Sequence, residues 1–197
     1  MWWENETGVT AIGSQAIQPS EESHIDIIPI GCVDPLAVSI VAANLQTIMG
    51  LNAAILDALP EDEGAYLPLR NQYSASRILN VLEATQEGAT FKLGVVQVDL
   101  CTPILKFVFG ESQLGGKAAV VSLYRLAHND PKKLYLRGAK VSLHETGHLL
   151  GIGHCRAPDC LMAFSGGTEK LDSLPLKFCD ACEYEIARSL KHLFSQK

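Results

Sequence analysis

The chain predicts an α+β fold: a twisted mixed β-sheet backed by helices, one long helix bearing a histidine motif, and a small cysteine-rich C-terminal segment. Three observations predict it. Short apolar runs alternate with segments of helical period from residue 25 to about residue 130. The run H-E-T-G-H-L-L-G-I-G-H at 144–154 begins with helical spacing and places a glycine where a helix would end. Cys155, Cys160, Cys179 and Cys182 follow within the next 28 residues.

Taken in order, Ile25–Ile30 reads as a buried strand ended by Gly31. Asp34-Pro35 supplies an N-cap and a proline at the first helical position, and Val38, Val41, Leu45 and Ile48 keep the helical period up to Gly50. A second strand is expected over 53–59, then an acidic, proline-bounded loop over 60–68. A second helix is expected over about 71–85, with Ala75, Ile78 and Leu82 facing inward. Residues 91–100 read as a third strand leading to Cys101-Thr102-Pro103. Two more strands are expected at 107–109 and 118–123, separated by a glycine-bounded loop over 110–116. The next helix begins near Pro131 and should carry Leu136, Leu143 and Leu150 on its buried side. From Phe178 on, Ile186, Leu190 and Leu193 make an amphipathic terminal helix. The organisation is therefore a tail at 1–23, a main unit at 24–151 that includes the histidine helix, and a C-terminal unit at 152–197.

Composition narrows the function. A chain of 197 residues with 47% apolar content can bury one substantial core. A net charge of −6 without a basic cluster argues against nucleic acid or an anionic membrane as the main partner. No apolar run is long enough to span a bilayer. The start, M-W-W-E-N-E-T-G, carries acid where a secretory signal carries base, so a cytoplasmic location is expected and the sequon Asn5-Glu6-Thr7 is read as unused. Trp2 and Trp3 are either a docking anchor or part of a loosely ordered terminus.

At 3.6 residues per turn, His144 and His148 stand on one helical face and can aim two ring nitrogens at one metal. Glu145 points aside, where it can hold a water without being a ligand. Gly151 lets the backbone leave the helix at positive φ and bring His154 to a third coordination position. Three neutral nitrogens leave one zinc position open, as in catalytic sites. By chance, H-E-x-x-H arises in about one such chain in a hundred, and the extended string in roughly a few per hundred thousand.

Cys155-x4-Cys160 and Cys179-x2-Cys182 can together surround one ion as a closed, structural zinc site. Two disulfides are the competing arrangement, and a redox C-x-x-C a third that leaves Cys155 and Cys160 unexplained.

The histidine string with Met162 soon after it resembles the metzincin clan of zinc metallopeptidases. The abutting C-x4-C-x-M and later C-x-x-C resemble the archaemetzincins within that clan. The similarity extends from about Ser23 onward, with its specific motifs at 144–182. It implies a zincin-like fold, two zinc ions per chain, and a peptide or protein substrate. It also implies that Met162 forms an apolar floor under the imidazoles without binding metal, the alternative being an ordinary core methionine. The spacing from Met162 to the C-x-x-C is one residue shorter than the family pattern, a difference confined to the loop between the two cysteine pairs. Phe164 stands where some metzincins carry a metal-reaching tyrosine.

Other residues carry two readings each. Cys32 and Cys101 follow strands and are expected to be buried inert thiols rather than a third metal site. His24, His128 and His192 lack ligand spacing and read as surface or hydrogen-bonded residues. Asp99 is a strand-end cap or an acceptor that orients a zinc-bound imidazole. The segment 107–110 is either core or the upper rim of a cleft, where an exposed strand edge would hold extended peptide backbone.

The chemistry expected is hydrolysis of peptide bonds by a zinc-activated water, with Glu145 as general base. The alternative is a zinc-stabilised peptide-binding or interaction protein with an empty or blocked catalytic site. Hydrolysis of a non-peptide amide would use the same groups.

Overall fold

The computed structural model describes residues 24–85 and 88–194, so the expected 1–23 tail with Trp2, Trp3 and the sequon lies outside the described residues. Strand β1 (Ile25–Ile30) pairs in parallel with β2 (Ala53–Ile55) and with β5 (Phe91–Val96); β5 pairs in parallel with β8 (Ala118–Ser122), and β7 (Gly110–Ser112) adds antiparallel to β8. The order is β2-β1-β5-β8-β7, which leaves β7 at the edge. A second small sheet contains β3 (Tyr66–Leu67), β4 (Gln72–Ser74) and β6 (Leu100–Cys101).

Every residue of β5 and β8 is buried, the mark of strands covered on both faces. Alternation divides them. Ile25, Ile27, Leu93, Val95, Ala119 and Val121 face one core with α1 (Pro35–Met49), α3 (Pro131–Leu149) and the C-terminal segment. Ile28, Ile30, Val96, Ala118 and Val120 face a second core with α2 (Ala75–Ala84). Two further helices, α4 (Thr168–Ser173) and α5 (Asp180–Phe194), extend the first core through Leu171, Cys182 and Ile186.

The helix signals act as their chemistry dictates. The Asp34 side chain accepts from Leu36 N at 2.9 Å, and Gly50 closes α1 at φ 69°. Asp130 caps α3 by accepting from Lys132 N at 3.0 Å, with Pro131 next. Tyr135 donates to the second Asp34 oxygen at 2.8 Å, which ties the starts of α1 and α3 together.

Five expectations shift. The second strand ends at Ile55 and returns only as a bridge between Ile30 and Leu59. Residues 72–74 form a strand instead of the first turn of α2, because Tyr73 N finds the Asp99 carbonyl at 2.8 Å. The expected 91–100 strand breaks after Val96, and Leu100–Cys101 joins the other sheet, where it pairs with β4. The strand expected at 107–109 lies three residues later, at Gly110–Ser112, inside the expected loop. Leu136 and Leu193, expected inside, are 43% and 42% exposed, while Leu143 and Leu150 are buried. The short α4 had no counterpart in the sequence reading. Among the described residues no helix is long and apolar enough to cross a membrane.

Leu45 is 0% exposed on α1, within the core shared with α3. Leu45→Ala is expected to cost about 2–5 kcal/mol. Urea denaturation checks it: the midpoint should fall with the slope unchanged.

Candidate active site and cysteine cluster

The C-terminal end of α3 builds the first part of the site. Gly151 lies at φ 85°, as expected. Its N–H bonds the His148 carbonyl at 2.9 Å and Ile152 N bonds the Gly147 carbonyl at 3.0 Å, so the chain reverses in a Schellman turn. The reversal brings His154 back: its ring centroid lies 5.3 Å from that of His144 and 4.9 Å from that of His148. Nitrogen atoms of all three histidines fall within 4.8 Å of one another.

Two of the rings are oriented by backbone. His144 Nδ1 lies 2.9 Å from the Leu161 carbonyl, and His148 Nδ1 lies 2.7 Å from the Ile152 carbonyl. A carbonyl only accepts, so both Nδ1 atoms carry the proton. Burial pushes the His144 pKa down to about 4 and lowers that of His148, so both rings are neutral and both Nε2 atoms present bare lone pairs. Those lone pairs face each other at 3.1 Å. Two lone pairs this close repel unless a cation lies between them. Nitrogens on a tetrahedral zinc stand about 3.3 Å apart, so the donor set fits that ion. Asp99, considered for the orienting role, is elsewhere: its oxygens take Arg125 at 2.6 and 2.7 Å and Gln72 at 3.0 Å.

Glu145 is 8% exposed, and Ser112 on β7 donates to its Oε2 at 2.6 Å. Burial pushes its pKa up to about 7; the field of Glu111 adds to the rise and the Ser112 bond opposes it. The edge strand passes so close that a Cβ on Gly110 would lie 2.6 Å from Glu145 Cγ. On the other side, a Cβ on Gly147 would lie 2.5 Å from the sulfur of the fully buried Met162. Ser112 and Gly147 escaped the sequence reading, and Gly110 entered it only as a bound of the 107–110 segment and of the 110–116 loop. A short G-x-S in a region read as loop carries no signal until β8 is known to be its partner.

The rim is also fixed. Arg70 donates to the carbonyls of Thr102, Leu105 and Lys106 at 2.9–3.0 Å. Arg125 lies 4.3 Å over the Phe107 ring, which packs on Phe109. Phe107, Phe109, Ser112, the histidines, Glu145 and Phe164 together line a cleft of about 490 Å³. Both readings of segment 107–110 hold in part: it lines the cleft, while Val108 is buried in the second core and Phe109 packs against the first. Phe164 is 64% exposed with its ring 5.4 Å from that of His154.

The four cysteines converge as well. Their sulfurs lie within 4.8 Å of one another, and Cys155 and Cys179 Sγ are 3.8 Å apart. A disulfide needs about 2.05 Å; sulfurs on one zinc stand about 3.8 Å apart. All six cysteines are free thiols, which removes the disulfide alternative. Backbone N–H groups of Ala157 and Cys179 donate to Cys155 and Cys160 sulfurs at 3.4 and 3.3 Å. Burial raises the pKa of Cys160 and of Cys182, whereas the Cys182 N–H lowers that of Cys179. Four sulfurs in so small a space could all be deprotonated only around a cation, and the donor set fits zinc. Cys101 is buried as expected, but Cys32 is exposed, because it follows the Gly31 turn out of the sheet. His24 stacks on Phe194 at 4.1 Å, His128 accepts from Asp130 N, and His192 is exposed.

Residues 36–188 match the family model described as peptidase family M54. The chain belongs to peptidase family M54. It is 34% identical to an archaemetzincin of Archaeoglobus fulgidus over 78% of this chain and 93% of that one. It is 38% identical to an archaemetzincin of Methanopyrus kandleri over 66% and 74%. The fold is similar to the crystal structure of the Methanopyrus kandleri archaemetzincin, with TM-score 0.79 and 30% identity over 89% of this chain and 99% of that one. It is similar too to a zinc-dependent peptidase of Methanocorpusculum labreanum, with TM-score 0.74 and 25% identity over 82% and 99%. The resemblance drawn from the motifs therefore holds across the fold, and an M54 peptidase acts on peptides or proteins.

Gly110→Ala should crowd Glu145 and cost about 1–3 kcal/mol. Gly153→Ala, with nothing within 4 Å of the added Cβ, should stay within about 0.5 kcal/mol of the parent. Paired urea titrations check the contrast.

Proposed function

We propose that the chain is a zinc metallopeptidase in which His144, His148 and His154 hold a catalytic zinc and Glu145 is the general base. The observation that carries it is the pair of neutral Nε2 lone pairs facing each other at 3.1 Å beside a buried carboxylate. The relative from Methanocorpusculum labreanum, described as zinc-dependent, supports the choice of ion. Zinc bound there supplies a Lewis acid that makes water acidic near neutral pH and polarises the scissile carbonyl.

Glu145 takes the proton of the attacking water and returns it to the leaving amine. A carboxyl pushed up to about 7 can do both at neutral pH. Ser112 engages Oε2 and so fixes which oxygen exchanges the proton. The edge strand β7 offers its outer side to substrate: among the described residues no strand lies beyond it, and an extended peptide would add there by backbone hydrogen bonding. Met162, packed against Gly147, forms the floor beneath the histidines. Cys155, Cys160, Cys179 and Cys182 would hold a second, structural zinc, which staples the 152–197 unit internally by tying the 155–160 loop to the start of α5.

Glu145→Gln should abolish hydrolysis of a peptide library while the protein retains two zinc ions per chain by elemental analysis. Retained turnover would overturn the role of Glu145, and a single zinc confined to the cysteines would favour the interaction-protein alternative. Cys182→Ser should remove one zinc and lower the melting temperature by several degrees, because binding free energy at such a site is folding free energy.

A further inference from the structure

Lys140 and Val141 lie about one turn before His144 on α3, so Lys140 is about 6 Å from it along the axis. Both line the cleft, together with Leu161, Leu171 and Leu174. These four apolar residues are each at most 5% exposed, so this end of the cleft is a recess with apolar walls. Lys140 itself is 2% exposed. Its ammonium donates to the carbonyls of Leu171 at 2.9 Å and Asp172 at 3.3 Å, in the last turn of α4. An ammonium carries three donors, and among the described residues these two carbonyls are its acceptors.

The charge of Lys140 is incompletely balanced. Both carboxylate oxygens of Asp172 are taken by Arg137, at 2.8 and 2.7 Å. Arg137, Lys133 and Lys140 thus share one acid, and the field of Arg137 on Lys140 opposes that of Asp172. Neither cleft acid, Glu111 or Glu145, is among the charges acting on Lys140. Burial lowers the Lys140 pKa, as expected for an ammonium without a carboxylate of its own, and an incoming anion would relieve that cost.

We infer that this recess binds a carboxylate of the substrate, either an acidic side chain flanking the scissile bond or the free C-terminus of a short peptide. The apolar walls accommodate methylene groups and the Lys140 ammonium selects the charge. The recess rests on the peptidase reading for its role, since it lies beside the histidines of the same cleft.

Zinc-loaded protein is offered matched peptides that differ only as Glu against Gln at each position around the cleaved bond, and as free against amidated C-terminus. Preference for the acid by at least about tenfold in kcat/KM is expected in one of the two series, the size of one charged hydrogen bond. The series that responds tells a side chain from a terminus. Lys140→Met should bring the acidic peptide down to the rate of its neutral partner. Equal rates for acid and amide in both series overturn the inference without any variant. The same peptides are titrated against the Glu145→Gln protein by fluorescence anisotropy. Tighter binding of the carboxylate form supports the recess even if no peptide is cleaved, and that combination would count against the peptidase reading alone.

Discussion

The site depends on two hydrogen bonds between imidazole N–H groups and backbone carbonyls. The Leu161 and Ile152 carbonyls lock His144 and His148 into one tautomer and one orientation. Without them each ring could rotate or move its proton, and the Nε2 lone pairs would have no reason to converge. Both carbonyls come from chain that follows α3, so the helix presents its histidines in this orientation only with the segment after it in place. The Schellman closure at Gly151 and the loop closed by the Cys155 N–H bond to the Met162 carbonyl at 2.8 Å deliver them.

Close approach is the second constraint. The helix is flanked by β7 on the Glu145 side and by Met162 on the other, and each contact occurs at a glycine, Gly110 or Gly147. Neither requires the left-handed backbone that Gly151 uses; the demand is for space. The result is a carboxylate surrounded by strand backbone, shielded from water, and raised in pKa for that reason. The same shielding that holds Glu145 makes it able to carry a proton at neutral pH.

What could be read from the sequence was whatever short spacing encodes. His144, His148, Gly151 and His154, the cysteine pairs, the caps at Asp34 and Asp130 and the outer bounds of β1 and α1 all follow from residues a few positions apart. What could not be read depended on partners distant in sequence. Residues 72–74 look helical until Asp99 offers them a carbonyl, and Gly110–Ser112 looks like loop until β8 offers its edge. Leu136 fits the helical stripe but faces solvent; beside it on α3, Arg137 and Lys140 turn inward to bind Asp172 and the end of α4. A buried arginine and lysine on a helix cannot be foreseen before the acid and carbonyls that receive them are known.

His154 explains why the two donor groups are adjacent in the chain. It is exposed, and unlike the other two histidines it has no orienting carbonyl among the described residues. Its position comes from its neighbours. Cys155 follows it directly and is held by the cysteine cluster, by Met162 and by its bridge to Ala163. Phe164 then covers one edge of the ring. The cluster is anchored in turn by Cys160, Cys182 and Ile186 in the shared core. The cysteines thus do more than stiffen a small C-terminal segment: they fix the backbone from which the third imidazole reaches the other two. His154 has ring neighbours but, among the described residues, no hydrogen bond to orient it, so its placement rests on the backbone on either side of it.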